Sequence, residues 1–92
     1  MKGLYYRNSQ IIDGELDNNQ VMMHIEKGKY YGLNPVGKRI WELVEQPRSF
    51  EDIVAVLLSE FNVSEEQCRE EVKAFLEKGI KCDILNTDEA HS

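Results

Sequence analysis

Alternating apolar and polar residues in the first half of the chain predict a β-hairpin. Gln20–Ile25 and Lys29–Leu33 alternate as strands do, and Glu26-Lys27-Gly28 lies between them as a three-residue loop. Gly28 supplies the positive φ with which such a loop closes. This loop pairs Ile25 with Lys29 and gathers one apolar face, which consists of Val21, Met23, Ile25, Tyr31 and Leu33. The opposite face then consists of Met22, His24, Glu26, Tyr30 and Gly32.

Capping signals predict three helices after the hairpin. Asn34-Pro35 begins the first helix, which ends at Gln46-Pro47. Ser49 caps the second helix, and Ser64 caps the third, with Gln67 three residues later as a capping box. Helical spacing gives the third helix one apolar face, which consists of Cys68, Val72, Phe75, Leu76 and Gly79.

Strands followed by capped helices predict an α+β fold with a winged-helix-like second half. An earlier strand is expected within Leu4–Asp13, and Ile84-Leu85 either returns as a short strand or packs on the core. A chain of 92 residues has room for one domain, expected over residues 1–86 and followed by a polar tail over 87–92.

The charge of the chain argues against nucleic acid as a partner. Seventeen acidic and eleven basic residues give a net charge of −6, which leaves no basic face for phosphates. The third predicted helix, Glu65–Lys78, carries five acids and three bases and is unsuited to a DNA major groove. No apolar run is long enough to span a membrane, and Met1-Lys2-Gly3-Leu4 begins no secretory signal. We therefore expect a cytoplasmic protein with no membrane contact.

The residues that could carry chemistry are few and scattered. Cys68 and Cys82 are expected to be reduced thiols, and with His24 they form no metal-binding spacing. The acids of the third helix alternate with bases as on a solvated face, and the glycines form no phosphate-binding pattern. The sequence therefore predicts neither an enzyme nor a metal or cofactor site.

The last strand of the hairpin has an exposed edge unless another element covers it. Lys29–Leu33 lacks proline and carries one charge, at the hairpin end, so its edge could accept a peptide as an added strand. From these residues alone, an edge covered by the N-terminal strand or by a dimer partner is an equal alternative.

Two segments of the chain resemble the PqqD-like family. They are Gly28–Gly37, which reads Gly-Lys-Tyr-Tyr-Gly-Leu-Asn-Pro-Val-Gly, and Ile40-Trp41-Glu42-Leu43. Weaker similarity continues through Arg48–Ser64 and Val72–Leu76, so that it covers roughly residues 18–85. Members of this family are peptide recognition domains of pathways that modify ribosomally made peptides. Within the family, the chain looks most like the stand-alone leader-binding proteins of lasso-peptide gene clusters.

The resemblance implies an N-terminal three-stranded antiparallel sheet packed on a three-helix winged-helix-like bundle. It also implies that a precursor's leader peptide binds as a strand along the third strand, in a groove against the third helix. Transferred to this chain, the docking strand would be formed by Lys29, Tyr30, Tyr31, Gly32 and Leu33. The helix wall would be formed by Arg69, Val72, Lys73 and Leu76, with Val72 and Leu76 as the pocket floor and the two bases as the rim.

The same resemblance implies partners for the complex. They are a separate, transglutaminase-like cysteine protease that removes the leader and an ATP-dependent cyclase. The chain departs from the family pattern after Leu76, where the early Gly79 is expected to shorten the third helix. A winged-helix transcriptional regulator or a dimeric structural module is the alternative function.

Overall fold

Two small sheets and three helices form the fold, in a computed structural model that describes residues 3–17 and 19–88. The elements in chain order are β1 Leu4–Arg7, β2 Ile11–Leu16, β3 Asn19–His24, β4 Lys29–Gly32, α1 Pro35–Leu43, β5 Arg48–Ser49, α2 Phe50–Glu60, α3 Glu65–Lys81 and β6 Leu85–Thr87. Both sheets are antiparallel, with strand orders β2-β3-β4 and β5-β1-β6. The predicted α+β class is confirmed, and a second sheet is added to it.

The segment predicted to hold one early strand forms β1 and β2, and they belong to different sheets. β1 lies between β5 and β6, with Tyr5 opposite Arg48 on one side and Thr87 on the other. Ile84-Leu85 does return as a strand, since β6 begins at Leu85. Thr87 therefore lies in a strand rather than in a free tail, and residues 89–92 of the expected tail lie outside the described residues.

The hairpin register is shifted by one residue from the predicted one. The loop has four residues, Ile25–Gly28, and His24 rather than Ile25 lies opposite Lys29. Gly28 adopts the expected positive φ of 65°, and its N–H donates to the His24 carbonyl at 2.8 Å. Met22 consequently pairs with Tyr31, and Met23 pairs with Tyr30.

This shift exchanges the faces of β3 relative to β4, so that Met22 rather than Met23 shares a face with Tyr31. Met22 and His24 are buried and Ile25 is 55% exposed, so the predicted face is wrong at these β3 positions. Val21 is buried, and Tyr31 and Leu33 are half-buried, as members of that face should be.

The alternation pattern misleads here because it places His24 on the polar face of the hairpin, whereas its side chain is 0% exposed. Inside the fold its ring has polar neighbours: Nδ1 accepts the Lys27 N–H at 3.2 Å, and Nε2 lies 3.5 Å from Asp83 Oδ2.

All three predicted helix caps are confirmed. Asn34 Oδ1 accepts the N–H of Gly37 at 2.7 Å, Ser49 Oγ accepts that of Asp52 at 3.1 Å, and Ser64 Oγ accepts that of Gln67 at 3.1 Å. These bonds satisfy amides that have no partner within the helix. The Gln67 side chain does not reach back to complete a capping box and donates instead to Glu71 at 3.2 Å.

The prediction that Gly79 shortens the third helix is wrong. α3 continues through Gly79 to Lys81, and the following Asp83 takes a positive φ of 64° where the chain turns into β6. Gly79 is buried against Leu85. The glycine therefore serves close packing between α3 and β6 and does not end the helix.

Trp41 joins the helical core to the sheets. Its side chain is fully buried, and its indole N–H donates to Asp13 Oδ1. The Arg7 guanidinium lies 4.2 Å from the indole centroid and donates two hydrogen bonds to the Trp41 carbonyl, at 3.0 and 2.7 Å. These contacts fix β1 and β2 against α1. None of the helices in the described ranges is both long and apolar enough to cross a membrane.

Candidate functional site

A groove of about 420 Å³ lies between β4 and α3, and we call it the β4–α3 groove. Tyr30–Asn34 form one side, and Phe75, Lys78 and Gly79 form the other. Met22, Gly37 and Ile84 complete its lining.

A second depression of about 220 Å³ continues the groove toward α1. It shares Asn34, Gly37 and Phe75 with the first and is also lined by Val36, Ile40, Glu71 and Ala74. The α3 residues along both depressions are spaced i, i+3, i+4, i+7 and i+8, so they form one stripe of the helix: Glu71, Ala74, Phe75, Lys78 and Gly79.

The backbone of β4 has hydrogen-bonding groups that face this groove. The Ile25 N–H donates to the Gln10 carbonyl at 3.0 Å, across the β2–β3 side of the hairpin. Because antiparallel strands alternate, Met22 and His24 bond toward β4, and their partners Tyr31 and Lys29 bond back to β3.

The N–H and C=O groups of Tyr30 and Gly32 therefore point to the open side of β4. In the described ranges no strand pairs with β4 on that side, and β1 pairs with β5 and β6 instead. The N-terminal strand consequently does not cover this edge.

The predicted docking strand lies largely in the groove. Tyr30, Tyr31, Gly32 and Leu33 all line it, whereas Lys29 lies at the hairpin end, outside the lining. Tyr30 is 58% exposed. Tyr31 is half-buried, and the pKa of its phenol is raised by burial and by the neighbouring Cys82.

The residues expected to form the helix wall lie on other faces of α3. Val72 and Leu76 are 0% exposed and belong to the core. Arg69 holds Glu51 through two hydrogen bonds, at 2.9 and 2.7 Å, and Glu65 through one at 3.0 Å. Lys73 is exposed and outside the lining.

Sequence reasoning missed Phe75, Lys78 and Glu71 as groove residues. The apolar spacing of α3 identifies the helix face that packs on the core, and a groove is formed by the neighbouring face. Phe75 could have indicated the groove face, because it belongs both to the apolar face of α3 and to the stripe that lines the groove. It is also only half-buried.

The two cysteines are the candidate nucleophiles, and both lie outside the groove lining. Burial raises the pKa of the Cys68 thiol, whose Sγ lies 3.9 Å from the Val54 carbonyl. Both cysteines are free thiols, as expected. Within residues 3–17 and 19–88, no group of three or more His, Cys, Asp or Glu side chains is placed to hold a metal ion.

The fold and groove define a class of small α+β domain, in which a winged-helix-like bundle lies beside an open strand edge. Residues 19–85 match the PqqD family, described as coenzyme PQQ synthesis protein D, and the chain belongs to this family. No curated protein matches the chain.

Two solved structures share this fold. One is "TbiB1 in Complex with the TbiA(beta) Leader Peptide", with 27% identity and a TM-score of 0.78 over 94% of this chain and 99% of that one. The other is "Lasso peptide synthetase B1 complexed with the leader peptide", with 18% identity and a TM-score of 0.77 over 89% of this chain and 96% of that one. At 18% identity the second likeness concerns the fold alone.

Proposed function

We propose that this protein binds the leader peptide of a ribosomally synthesised precursor of a lasso peptide, and that the leader pairs as a strand with β4. The observation that carries the proposal is the open edge of β4 beside a lined groove, in a chain that belongs to the PqqD family. The likeness to TbiB1, a protein solved with a leader peptide, supports the same ligand class.

Strand addition uses the backbone groups of Tyr30 and Gly32, which point to the open side of β4. An extended leader forms hydrogen bonds with them, and alternate side chains enter the groove against Phe75 and Gly79. Main-chain pairing supplies affinity that depends little on the leader's sequence, and the groove supplies selectivity.

We expect a leader affinity nearer micromolar than picomolar, because the favourable and unfavourable terms are of similar size. Two buried apolar side chains contribute roughly 1.5–3 kcal/mol each. Ordering a flexible peptide costs about 2–5 kcal/mol. These two contributions largely offset each other, and each strand hydrogen bond adds only about 0.5–1.5 kcal/mol. The sum is far from the roughly −16 kcal/mol of a picomolar complex, whereas a micromolar complex needs about −8 kcal/mol.

The protein then acts as an adaptor without chemistry of its own. In the cytoplasm it presents the leader to a separate transglutaminase-like cysteine protease and to the ATP-dependent cyclase. A single domain that extends through Thr87, the last residue of β6, is sufficient for this role, because both groove walls lie within it.

A fluorescence polarisation titration tests the proposal. The full chain is titrated against two labelled probes: the TbiA(beta) leader, and the leader of the precursor encoded beside this gene. We expect saturable binding of the second probe near micromolar and no binding of a scrambled copy. Absence of saturable binding up to about 100 μM would reject the function, since that concentration lies about a hundredfold above the expected Kd.

Phe75→Ala localises the binding to the groove. It deletes a half-buried ring that lines both depressions, and we expect roughly tenfold weaker binding or more. Phe61→Ala is the matched control, because Phe61 is also half-buried and lies outside both depressions. Equal losses in the two variants would contradict the groove as the binding site.

A further inference from the structure

Two opposite charges lie along the α3 wall of the groove. Lys78 lines the first depression, Glu71 lines the second, and no other lining residue among those described carries a charge. They are seven positions apart in the sequence, so they lie two turns and about 10 Å apart along the helix axis. The groove is therefore positive at one end and negative at the other.

Neither charge is neutralised within the described part of the fold. Lys78 and Glu71 take part in none of its ion pairs, and Glu71 accepts one hydrogen bond, from the neutral Gln67 amide. The arginines near them differ, because Arg69 is held by Glu51 and Glu65 and Arg39 by Glu42 and Glu60. The two groove charges are thus available to a ligand.

We propose that Lys78 and Glu71 set the direction and register of the bound peptide, an inference that rests on the proposed function. An extended strand covers 10 Å in about three residues. The peptide class that fits carries one acidic side chain beside Lys78 and one basic side chain beside Glu71, two to four residues apart. A peptide lying the other way brings like charges together and is disfavoured.

The geometry of the groove gives the order of these charges. Tyr30–Gly32 lie with Lys78 in the first depression, and Val36 and Ile40 lie with Glu71 in the second. A peptide antiparallel to β4, the more stable pairing, therefore passes Glu71 first and Lys78 second. Its basic residue precedes its acidic residue in sequence.

The test is a double charge exchange, Glu71→Lys with Lys78→Glu, which inverts the groove and leaves the net charge at −6. The matched control is Glu77→Lys with Lys81→Glu. These two α3 positions are exposed and outside the groove lining, and the control likewise exchanges a last-turn lysine for glutamate. Circular dichroism verifies that both variants fold.

The probe is the precursor leader from the titration above, synthesised as single-substitution copies with Lys or Glu at each position. For the unmodified protein we expect one position that prefers Glu and another, two to four residues upstream, that prefers Lys. Each preference should be about two- to fivefold and shrink in high salt. The double exchange should invert both preferences, and the control should keep them.

Three results would overturn the inference, in distinguishable ways. If the double exchange binds leader with unchanged preferences, the two charges do not orient the peptide, although the proposed function stands. If the unmodified protein prefers Glu upstream of Lys in the leader, and the double exchange inverts both preferences, the charges orient the peptide but the antiparallel direction is wrong. If the unmodified protein does not bind the leader, the proposed function fails and the inference fails with it.

Discussion

Leu85 packs over Gly79 so closely that it fills the space where a side chain would begin. A Cβ at Gly79 would lie 2.6 Å from Leu85 Cδ1 and 2.8 Å from Cγ. Both residues are buried, so the leucine has little room to move away. This contact lets α3 run on past Gly79 while β6 returns directly beneath it.

Gly79→Ala should therefore lower stability although alanine favours helix. The better propensity contributes about 1 kcal/mol, but overpacking a buried contact costs about 1–3 kcal/mol. We expect a net loss of about 1 kcal/mol in the free energy of unfolding. Urea denaturation followed by circular dichroism measures it.

Leu85→Ala supplies the control for this contact. In its background the leucine atoms are gone, so Gly79→Ala should be neutral or stabilising. A stabilising effect of Gly79→Ala in the otherwise unmodified protein would mean that the packing is looser than described.

Val72→Asp should unfold the protein rather than report on the groove. Val72 is 0% exposed in the core, and an unpaired carboxylate there belongs to the class of substitutions that cost more than about 4 kcal/mol. Far-ultraviolet circular dichroism should show loss of helix. A folded Val72→Asp protein would contradict the burial of the Val72 side chain. Full leader affinity in that protein would also show that Val72 does not contribute to leader binding.

Arg69→Gln should flatten the acid dependence of stability and leave leader binding unchanged. Hydrogen bonds from Arg69 lower the pKa of Glu51 from its usual 4.5. A carboxylate with a lowered folded pKa adds stability above the unfolded pKa and loses it as pH falls through the folded value. The Glu51 contribution should therefore decline as pH falls below about 4.5 and be lost below the lowered folded pKa, and only when Arg69 is present.

Denaturant unfolding from pH 6 to pH 3 measures this difference. The pKa of Glu60, lowered by its hydrogen bonds to Arg39, is unaffected by the substitution and gives both proteins a shared residual slope. Identical pH profiles for the two proteins would show that the Arg69–Glu51 pair is not formed in solution. If Arg69→Gln weakens leader binding, Arg69 belongs to the binding surface.

The sequence predicted the local features of the fold better than the distant ones. The caps at Asn34, Ser49 and Ser64 depend on residues within one turn, and all three are present. The β5-β1-β6 sheet was missed because β5 has two residues and pairs with a strand more than forty residues earlier. Such a strand has no periodicity of its own.

The open edge of β4 could be predicted from the sequence, whereas the α3 residues that line the groove could not. Lys29 bonds back to β3 in both the predicted and the observed register, so Tyr30 and Gly32 face outward in either case. On α3 the family resemblance pointed to Val72 and Leu76, which pack on the core. The α3 stripe that lines the groove contains Glu, Ala, Phe, Lys and Gly residues. In the sequence alone this mixture looks like a solvated helix face, because the position of β4 is not known.

Proline substitution in β4 tests the account most directly. Tyr30→Pro removes an N–H that points to the open edge, so the hairpin should survive while leader binding is largely lost. Tyr31→Pro removes an N–H that bonds to Met22, so the fold should be destabilised even without peptide.

Tyr30→Ala is the decisive comparison, because it deletes the same ring and keeps the N–H. The measurement is the leader Kd of Tyr30→Pro against that of Tyr30→Ala, with circular dichroism to show that both are folded. We expect Tyr30→Pro to bind the leader at least about tenfold more weakly than Tyr30→Ala. The proline removes one strand hydrogen bond to the leader and weakens the adjacent ones. Equal affinities in two folded variants would show that the leader does not pair with the backbone of β4.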